Sequence, residues 1–275
     1  VPVSETGSNE ELTTVVGGGK MGEALLRGLV AAGRPAASLR VCERSEARAE
    51  ELRHLLPGVV VRSEPTSADG YVLAVKPGDA ERACFELVGA GCRPGPLLSI
   101  AAGVPTPALE GWLGPRWRVV RAMPNAAAVV GAAISAISPG ASAKEPDEAW
   151  ACRLLSALGE VESLPERLLD AVTGLSGSGP AYCFVVLEAL IEGGIAAGID
   201  ARAAERLATW TMLGAARLAM QAGADLVSLR HGVTSPGGTT AAGLRELERL
   251  GVRHAFSEAV LAAARRSREL GSGAR

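Results

Sequence analysis

"LTTVVGGGKMGEALLRGLVAAG", residues Leu12 to Gly33, decides how the first half of this chain is read. Leu12 to Val16 is a short β-prone run, and Gly17-Gly-Gly-Lys-Met-Gly22 follows it without a spacer. From Glu23 to Ala32 the composition and apolar spacing are helical, ending at Gly33. A strand, then G-x-G-x-x-G at Gly17, Gly19 and Gly22, then a helix is the setting that a dinucleotide fingerprint requires. Gly17 permits the tight turn, Gly19 lets a pyrophosphate approach the backbone, and Gly22 lets the helix pack on the strand. The helix N-terminus adds N–H donors and a positive dipole end. A glycine turn with no ligand is the plain alternative; the strand and helix on either side favour the ligand.

Working outward, Leu39-Arg-Val-Cys42 reads as a second strand that ends at Glu43-Arg44-Ser45, where an adenine ribose would lie. Glu43 suits a ribose 2′-OH and hence NADH, whereas Arg44 and Ser45 suit a 2′-phosphate and hence NADPH, toward which the reading leans. Plain solvated charges at a helix start are the bland alternative for Glu43 and Arg44. Further strands are expected at Val59–Val61, Tyr71–Val75, Leu97–Ile100, Arg118–Arg121 and Ala132–Ile137, with helices at 79–90 and 106–113. Such alternation predicts a mostly parallel, doubly wound sheet with its ligand beyond the strand C-termini. Two turns fall there. One is Ala74-Val75-Lys76-Pro77 and the other is Met123-Pro124-Asn125. Lys76 is one of only three lysines, with Lys20 and Lys144, which points to a role in the site.

Bulk composition narrows the classes. With 48% hydrophobic and 21% charged residues the chain reads as an ordinary soluble globular protein. Its 34 glycines and 16 prolines in 275 residues stay below the roughly 25–30% that signals disorder. Aromatics at 3% and a net charge of −2 argue against nucleic-acid binding. Cys42, Cys84, Cys92, Cys152 and Cys183 form no C-x-x-C pair and read as reduced, mostly buried thiols of a cytoplasmic protein. His54, His231 and His254 lack partners at metal-ligand spacing, so no metal is expected. No run suggests a membrane helix, and residues 1–11 read as a disordered tail without the features of a secretion signal.

The expected Rossmann-type domain covers residues 12–163, and from residue 164 to 275 the pattern becomes all-α. Glu166 to Leu175 is amphipathic, and Ala181 to Ala197 is apolar on nearly all sides, so it must be buried or packed on another chain. Ala203 to Gln221 and Phe256 to Leu270 read as further long helices, and this much apolar helix suggests an interleaved dimer. Into this series falls Ser235-Pro-Gly-Gly-Thr-Thr240, a turn just before another helix. Its glycines free the backbone to aim N–H groups at an anion, with Ser235, Thr239 and Thr240 adding hydroxyls. The bland alternative is that Thr239 or Thr240 merely N-caps the helix.

Together "VVGGGKMGEALLRGLV", "LAVKP", "RAMPN", "DAVTGLSGSGPAYCFVVLEAL" and "VTSPGGTTAAGLRELE" resemble the pyrroline-5-carboxylate reductase family, in its order and approximate spacing. The resemblance spans Leu12 to Leu270. It implies a Rossmann domain followed by a helical dimerisation domain, NADPH or NADH as hydride donor, and homodimers that assemble into decamers. It places pyrophosphate at Gly17 to Met21, nicotinamide near Ala74 to Pro77 and Asn125, and the substrate carboxylate at Ser235, Gly238, Thr239 and Thr240. Thr240 is expected to bond the imine nitrogen, with Lys76 beside it in the catalytic set. Three departures stand out: Lys20 where Asn is usual, Ala126-Ala127 where Thr-Pro is usual, and Arg62-Ser63-Glu64 without the usual asparagine.

Two other classes compete. β-Hydroxyacid dehydrogenases use a lysine from the helical domain, and this chain has none after Lys144. A nucleotide-binding regulatory protein without catalysis would account for Ala126-Ala127 but not for the intact Ser235–Thr240 turn. A reductase for a related cyclic imine is the remaining alternative.

Overall fold

A computed structural model describes residues 11–271. Apart from Glu11, the expected disordered tail lies outside them. Their contacts divide into two units, the first holding the chain to Gly177 together with residues 262 onward, the second running from Ser178 to Leu261.

The first unit is built on an eight-stranded sheet in the order β3-β2-β1-β4-β5-β6-β7-β8. The strands are β1 Thr13–Val16, β2 Leu39–Cys42, β3 Val60–Arg62, β4 Gly70–Leu73, β5 Pro96–Ser99, β6 Arg118–Met123, β7 Ala133–Pro139 and β8 Gly159–Ser163. All neighbours run parallel except β6 and β7, whose register sets Val120 opposite Pro139. The helices α1 Lys20–Ala31, α2 Glu46–Leu55, α3 Ala80–Gly89, α4 Thr106–Leu113 and α5 Glu145–Leu155 cover its two faces.

Strand alternation explains why both faces are needed. Val15, Val41, Val72, Leu98 and Val120 belong to a core with Leu25, Leu26 and Leu29 of α1 and Trp150 and Leu154 of α5. Val16, Tyr71, Leu73, Leu97 and Val119 point the other way, into a core with Leu87 of α3 and Leu109 of α4. Strands apolar on both sides are the pattern of a parallel sheet buried between helix layers.

The expected strands are present, with ends shifted by one or two residues. β8 was not anticipated. Its Gly-Glu-Val-Glu-Ser sequence is mostly exposed, because it forms the sheet edge and its glutamates face water. Gly159 starts it at φ +146°, where an added Cβ would lie 2.1 Å from the Ala133 carbonyl oxygen.

Glu166 to Leu175 is not one amphipathic helix. It begins as a 3₁₀ turn Glu166–Leu168, continues as α6 Leu169–Val172 and widens into a π-helical turn Thr173–Gly177. The Thr173 and Ser176 hydroxyls donate back to the carbonyls of Leu169 (2.9 Å) and Val172 (3.2 Å), the i−4 bonding that bends helices. Gly177 rests against β6, where a Cβ would lie 2.5 Å from Met123 Cε, the end of a flexible side chain.

Buried Arg121 of β6 ties this segment down. Its guanidinium lies 3.2 Å from Glu166 and 3.8 Å from Asp170. Glu166 also accepts from the Thr106 N–H (2.7 Å) and hydroxyl (2.6 Å), and Asp170 accepts from the Ser267 hydroxyl (2.7 Å). Glu166→Ala removes one partner of a buried cation and leaves only the longer Asp170 pair. Breaking such pairs costs about 3–5 kcal/mol when fully buried; with Glu166 partly exposed we expect roughly 2–3 kcal/mol, read from the urea midpoint.

Three cysteines, Cys42, Cys84 and Cys92, are buried, Cys152 is half-buried and Cys183 is exposed; all five are free thiols. Burial pushes the Cys42 thiol up to about 11 and Cys84 to about 12, so both stay protonated at neutral pH.

The second unit is helical: α7 Gly179–Ala196, α8 Ala201–Ala219, α9 Leu226–Gly232, α10 Thr239–Arg249 and the first part of α11 Val252–Gly271. α7 ends at Gly198 with φ +96°, and Asp200 caps α8 by accepting from the Ala203 N–H at 3.1 Å. Gly194 allows the two helices to approach, a Cβ there being 3.3 Å from that of Ala204. The Tyr182 hydroxyl donates to the Ala259 carbonyl across the unit at 3.3 Å. Large apolar side chains remain exposed on α7 and α8, among them Phe184, Val185, Leu207 and Trp210.

Two expectations need correction. By contacts, residues 164–177 and the last turns of α11, both counted with the helical half above, group with the sheet unit: Ser267 bonds Asp170, and Gly271 abuts Gly103 so closely that a Cβ would be 2.4 Å from its carbonyl oxygen. Also, the stretch Glu166–Ala196 does contain a helical window long and apolar enough to cross a membrane by length and composition alone.

Candidate functional site

The glycine turn after β1 is shaped by contacts that admit no side chain. Gly17 has φ +102°, and a Cβ on it would meet the Ala74 carbonyl oxygen at 2.7 Å. A Cβ on Gly22 would lie 2.2 Å from the Gly17 carbonyl oxygen, so α1 begins directly on the turn. Gly19 is different: nothing lies within 4 Å of the place its Cβ would take. Two glycines are therefore required by packing, and the third leaves open the side from which a pyrophosphate would approach.

Gly18, outside the fingerprint positions, is held on both sides. Its N–H donates to Glu43 at 3.0 Å, and its carbonyl accepts from Arg48 Nε at 2.7 Å. Arg48 also pairs with Glu23 of α1, and this hydrogen bond is the main reason the Glu23 carboxyl is held below its usual range. Glu43 accepts a second backbone N–H, from Ser45 at 2.8 Å. Its carboxylate thus braces the turn, a role the sequence reading did not give it. The Ser45 hydroxyl accepts from the Arg48 N–H at 3.4 Å at the start of α2.

Beside the turn lies a cavity of about 450 Å³, at the C-terminal ends of β1, β2 and β4. Of the residues expected to hold a dinucleotide, Gly17, Gly19, Arg44 and Ser45 line it, joined by Ala74, Val75 and Lys76. The Lys76 side chain has no carboxylate within 4.0 Å among the described residues; the residue itself precedes the short turn Pro77–Asp79. Five expected residues, Lys20, Met21, Gly22, Pro77 and Asn125, lie outside this wall. Lys20 is exposed in the first turn of α1, Met21 packs against the core, Gly22 is buried beneath the turn, and Pro77 opens the 3₁₀ turn. Asn125 follows β6 and caps the turn Ala126–Val130, its Oδ1 accepting from the Ala127 N–H at 3.2 Å. A proline at 127 has no such N–H, so the Ala127 departure engages the Asn125 side chain locally.

Sequence reasoning missed the opposite wall. Asp79, Arg82, Ala83 and Glu86 of the α3 region line the same cavity. Their i, i+3, i+4 spacing after Lys76-Pro77 was the available signal. A second cavity of about 540 Å³ adjoins along Ser63, Glu64 and Pro65, and Arg44 and Glu86 line both.

In the helical unit, Ser235 to Gly238 closes a turn, with the Gly238 N–H donating to the Ser235 carbonyl at 3.0 Å and Gly237 at φ +70°. A Cβ on Gly238 would be 2.2 Å from the Ser235 hydroxyl oxygen. Gly238 itself, in extended conformation, is the N-cap of α10, and no side chain caps the helix. The capping alternative for Thr239 and Thr240 is thereby removed: both lie in the first turn of α10 with their hydroxyls uncommitted to the helix end. The N–H groups of that first turn have no intrahelical acceptor. Ser235, Gly238, Thr239 and Thr240 are thus gathered at one helix N-terminus, as expected from sequence.

The family model for pyrroline-5-carboxylate reductase dimerisation matches residues 166–270, and that for NADP oxidoreductase, coenzyme F420-dependent, matches residues 13–103. A pyrroline-5-carboxylate reductase of Methanosarcina acetivorans is 41% identical over 93% of this chain and 96% of its own length. This chain belongs to the pyrroline-5-carboxylate reductase family. The Arabidopsis thaliana member is likewise 41% identical over 93% of this chain and 94% of its own. Among solved structures, that of the Coxiella burnetii reductase aligns with TM-score 0.88 at 35% identity, covering 95% of this chain and 98% of that one. A Plasmodium falciparum pyrroline carboxylate reductase with NADP bound aligns at TM-score 0.84 and 25% identity, over 96% and 100% of the two chains.

Proposed function

We propose that this reductase converts 1-pyrroline-5-carboxylate to L-proline with NADPH, and with NADH as a weaker donor. The observation that carries the reading is the uncapped Ser235–Thr240 helix start, intact in a chain 41% identical to named members of the family. The groove at the glycine turn fits a dinucleotide: Gly17 and Gly22 are held by contact while Gly19 stays open. There Gly17, Gly19 and the N-terminus of α1 at Lys20-Met21 would hold pyrophosphate, Arg44 and Ser45 the adenosine end, and Ala74 to Pro77 with Asn125 the nicotinamide. When bound, the reduced nicotinamide supplies a hydride.

The chain's own residues position and orient. The α10 N–H groups and the Ser235 and Thr239 hydroxyls bind the ring carboxylate; a helix N-terminus contributes roughly 0.3–1 kcal/mol to an anion, and charge-assisted hydrogen bonds ~1.5–3 kcal/mol each. Thr240 directs its hydroxyl at the ring nitrogen, holding the proton that makes the C=N carbon electrophilic. No lysine follows Lys144, so the helical half supplies no lysine acid. Positioning alone can lower a barrier by about 7–11 kcal/mol.

Two copies pairing through the exposed faces of α7 and α8 would cover Phe184, Val185, Leu207 and Trp210. This accounts for the membrane-length window as a subunit contact. Dimers assembling into decamers, and a cytoplasmic location in keeping with five free thiols, complete the proposal. Mixing protein, NADPH and pyrroline-5-carboxylate should bleach the reduced-nicotinamide absorbance, and proline with oxidised coenzyme at high pH should restore it. Coenzyme binding with no bleaching would instead support a regulatory nucleotide-binding protein.

A further inference from the structure

The adjoining cavities meet at one pair of side chains. Arg44, after β2, and Glu86, on α3, line both, and their charged groups are 3.8 Å apart. The pair therefore stands across a continuous groove running from the glycine turn to Pro65.

The other acidic groups of the 450 Å³ cavity are differently placed. Glu43 accepts the N–H groups of Gly18 and Ser45. Asp79 is engaged by Arg82 at 2.7 Å. Glu86 has only the longer approaches of Arg44 at 3.8 Å and Arg82 Nε at 3.6 Å. At such distances these are electrostatic contacts, not hydrogen bonds, and both partners are solvent-accessible. Arg44 is thus detained without being bonded.

We propose that Glu86 sets coenzyme preference, by holding Arg44 across the groove and opposing the 2′-phosphate of an incoming adenosine. A 2′-hydroxyl adenosine meets a neutralised arginine and no repulsion. A 2′-phosphate gains Arg44 in a bidentate pair only by drawing it from Glu86, and it then faces that carboxylate as a second anion. Arg44 favours the phosphorylated coenzyme, Glu86 subtracts from that preference, and the observed discrimination is their difference. This rests on the groove being the coenzyme site proposed above.

Calorimetric titration with 2′,5′-ADP and with ADP tests it without any turnover. Glu86→Gln should bind 2′,5′-ADP about tenfold more tightly than the wild type while ADP affinity changes less than twofold. The double variant Glu86→Gln/Arg44→Ala should lose that gain. Because Glu86 is partly exposed, thermal melting should show both variants folded. An unchanged ratio of the two affinities in Glu86→Gln overturns the role of Glu86. Failure of both nucleotides to bind wild type overturns the coenzyme groove itself, and the inference with it.

Discussion

Gly22→Ala is expected to cost the protein both stability and coenzyme. The added methyl carbon would sit 2.2 Å from the Gly17 carbonyl oxygen, and the atom it meets is backbone, not the end of a flexible side chain. Relief requires α1 to lift from β1, against Leu25, Leu26 and Leu29, which are fully or nearly fully buried in the core beneath. Overpacking of this kind costs about 1–3 kcal/mol and sometimes more. The same shift moves the helix N–H groups away from the groove, so NADPH affinity should fall at least about tenfold. Gly19→Ala is the informative contrast. Its Cβ meets nothing in the protein, so its melting temperature should fall only by the small cost of an alanine at the N-cap of α1, well short of the Gly22→Ala loss, while its NADPH affinity falls, the methyl occupying ligand space. A Gly22→Ala protein with wild-type melting and affinity would refute the packing argument.

Thr240→Ala should lower kcat/KM by about 10- to 100-fold, the loss of one hydrogen bond to a charged group, while leaving stability within ~0.5 kcal/mol. The second half of that expectation comes from the N-terminus of α10. Gly238 is the N-cap and no side-chain bond is made there, so the Thr240 hydroxyl supports no part of the helix. Loss of stability without loss of turnover would return Thr240 to a structural role.

Much of the site was legible because its signals are local. The strand–turn–helix setting of Gly17 to Gly22 stands as read, since strand, turn and helix start lie within a few covalent bonds of one another, and the Ser235–Thr240 turn likewise stands just before a helix. Other parts required neighbours far along the chain. Glu43 read as either a ribose acceptor or a plain solvated charge, and only the fold brought it to the Gly18 N–H, 25 residues away. β8 escaped notice because an edge strand need not be apolar. The π-helical turn at Thr173–Gly177 answers to hydroxyl back-bonding and to Met123 beneath it, neither of which a 3.6-residue period reports.

By itself the sequence determined the order of most strands and helices, the glycine turn, the Ser235–Thr240 turn before a helix and the family, all carried by short-range chemistry and linear spacing. Only the tertiary structure decided that α3 forms the far wall of the groove, that Glu86 faces Arg44, that Gly238 rather than a threonine caps α10, and that the end of α11 belongs to the sheet unit. Those outcomes depend on which distant side chains are brought within a few ångströms, and such distances follow from packing, not from position along the chain.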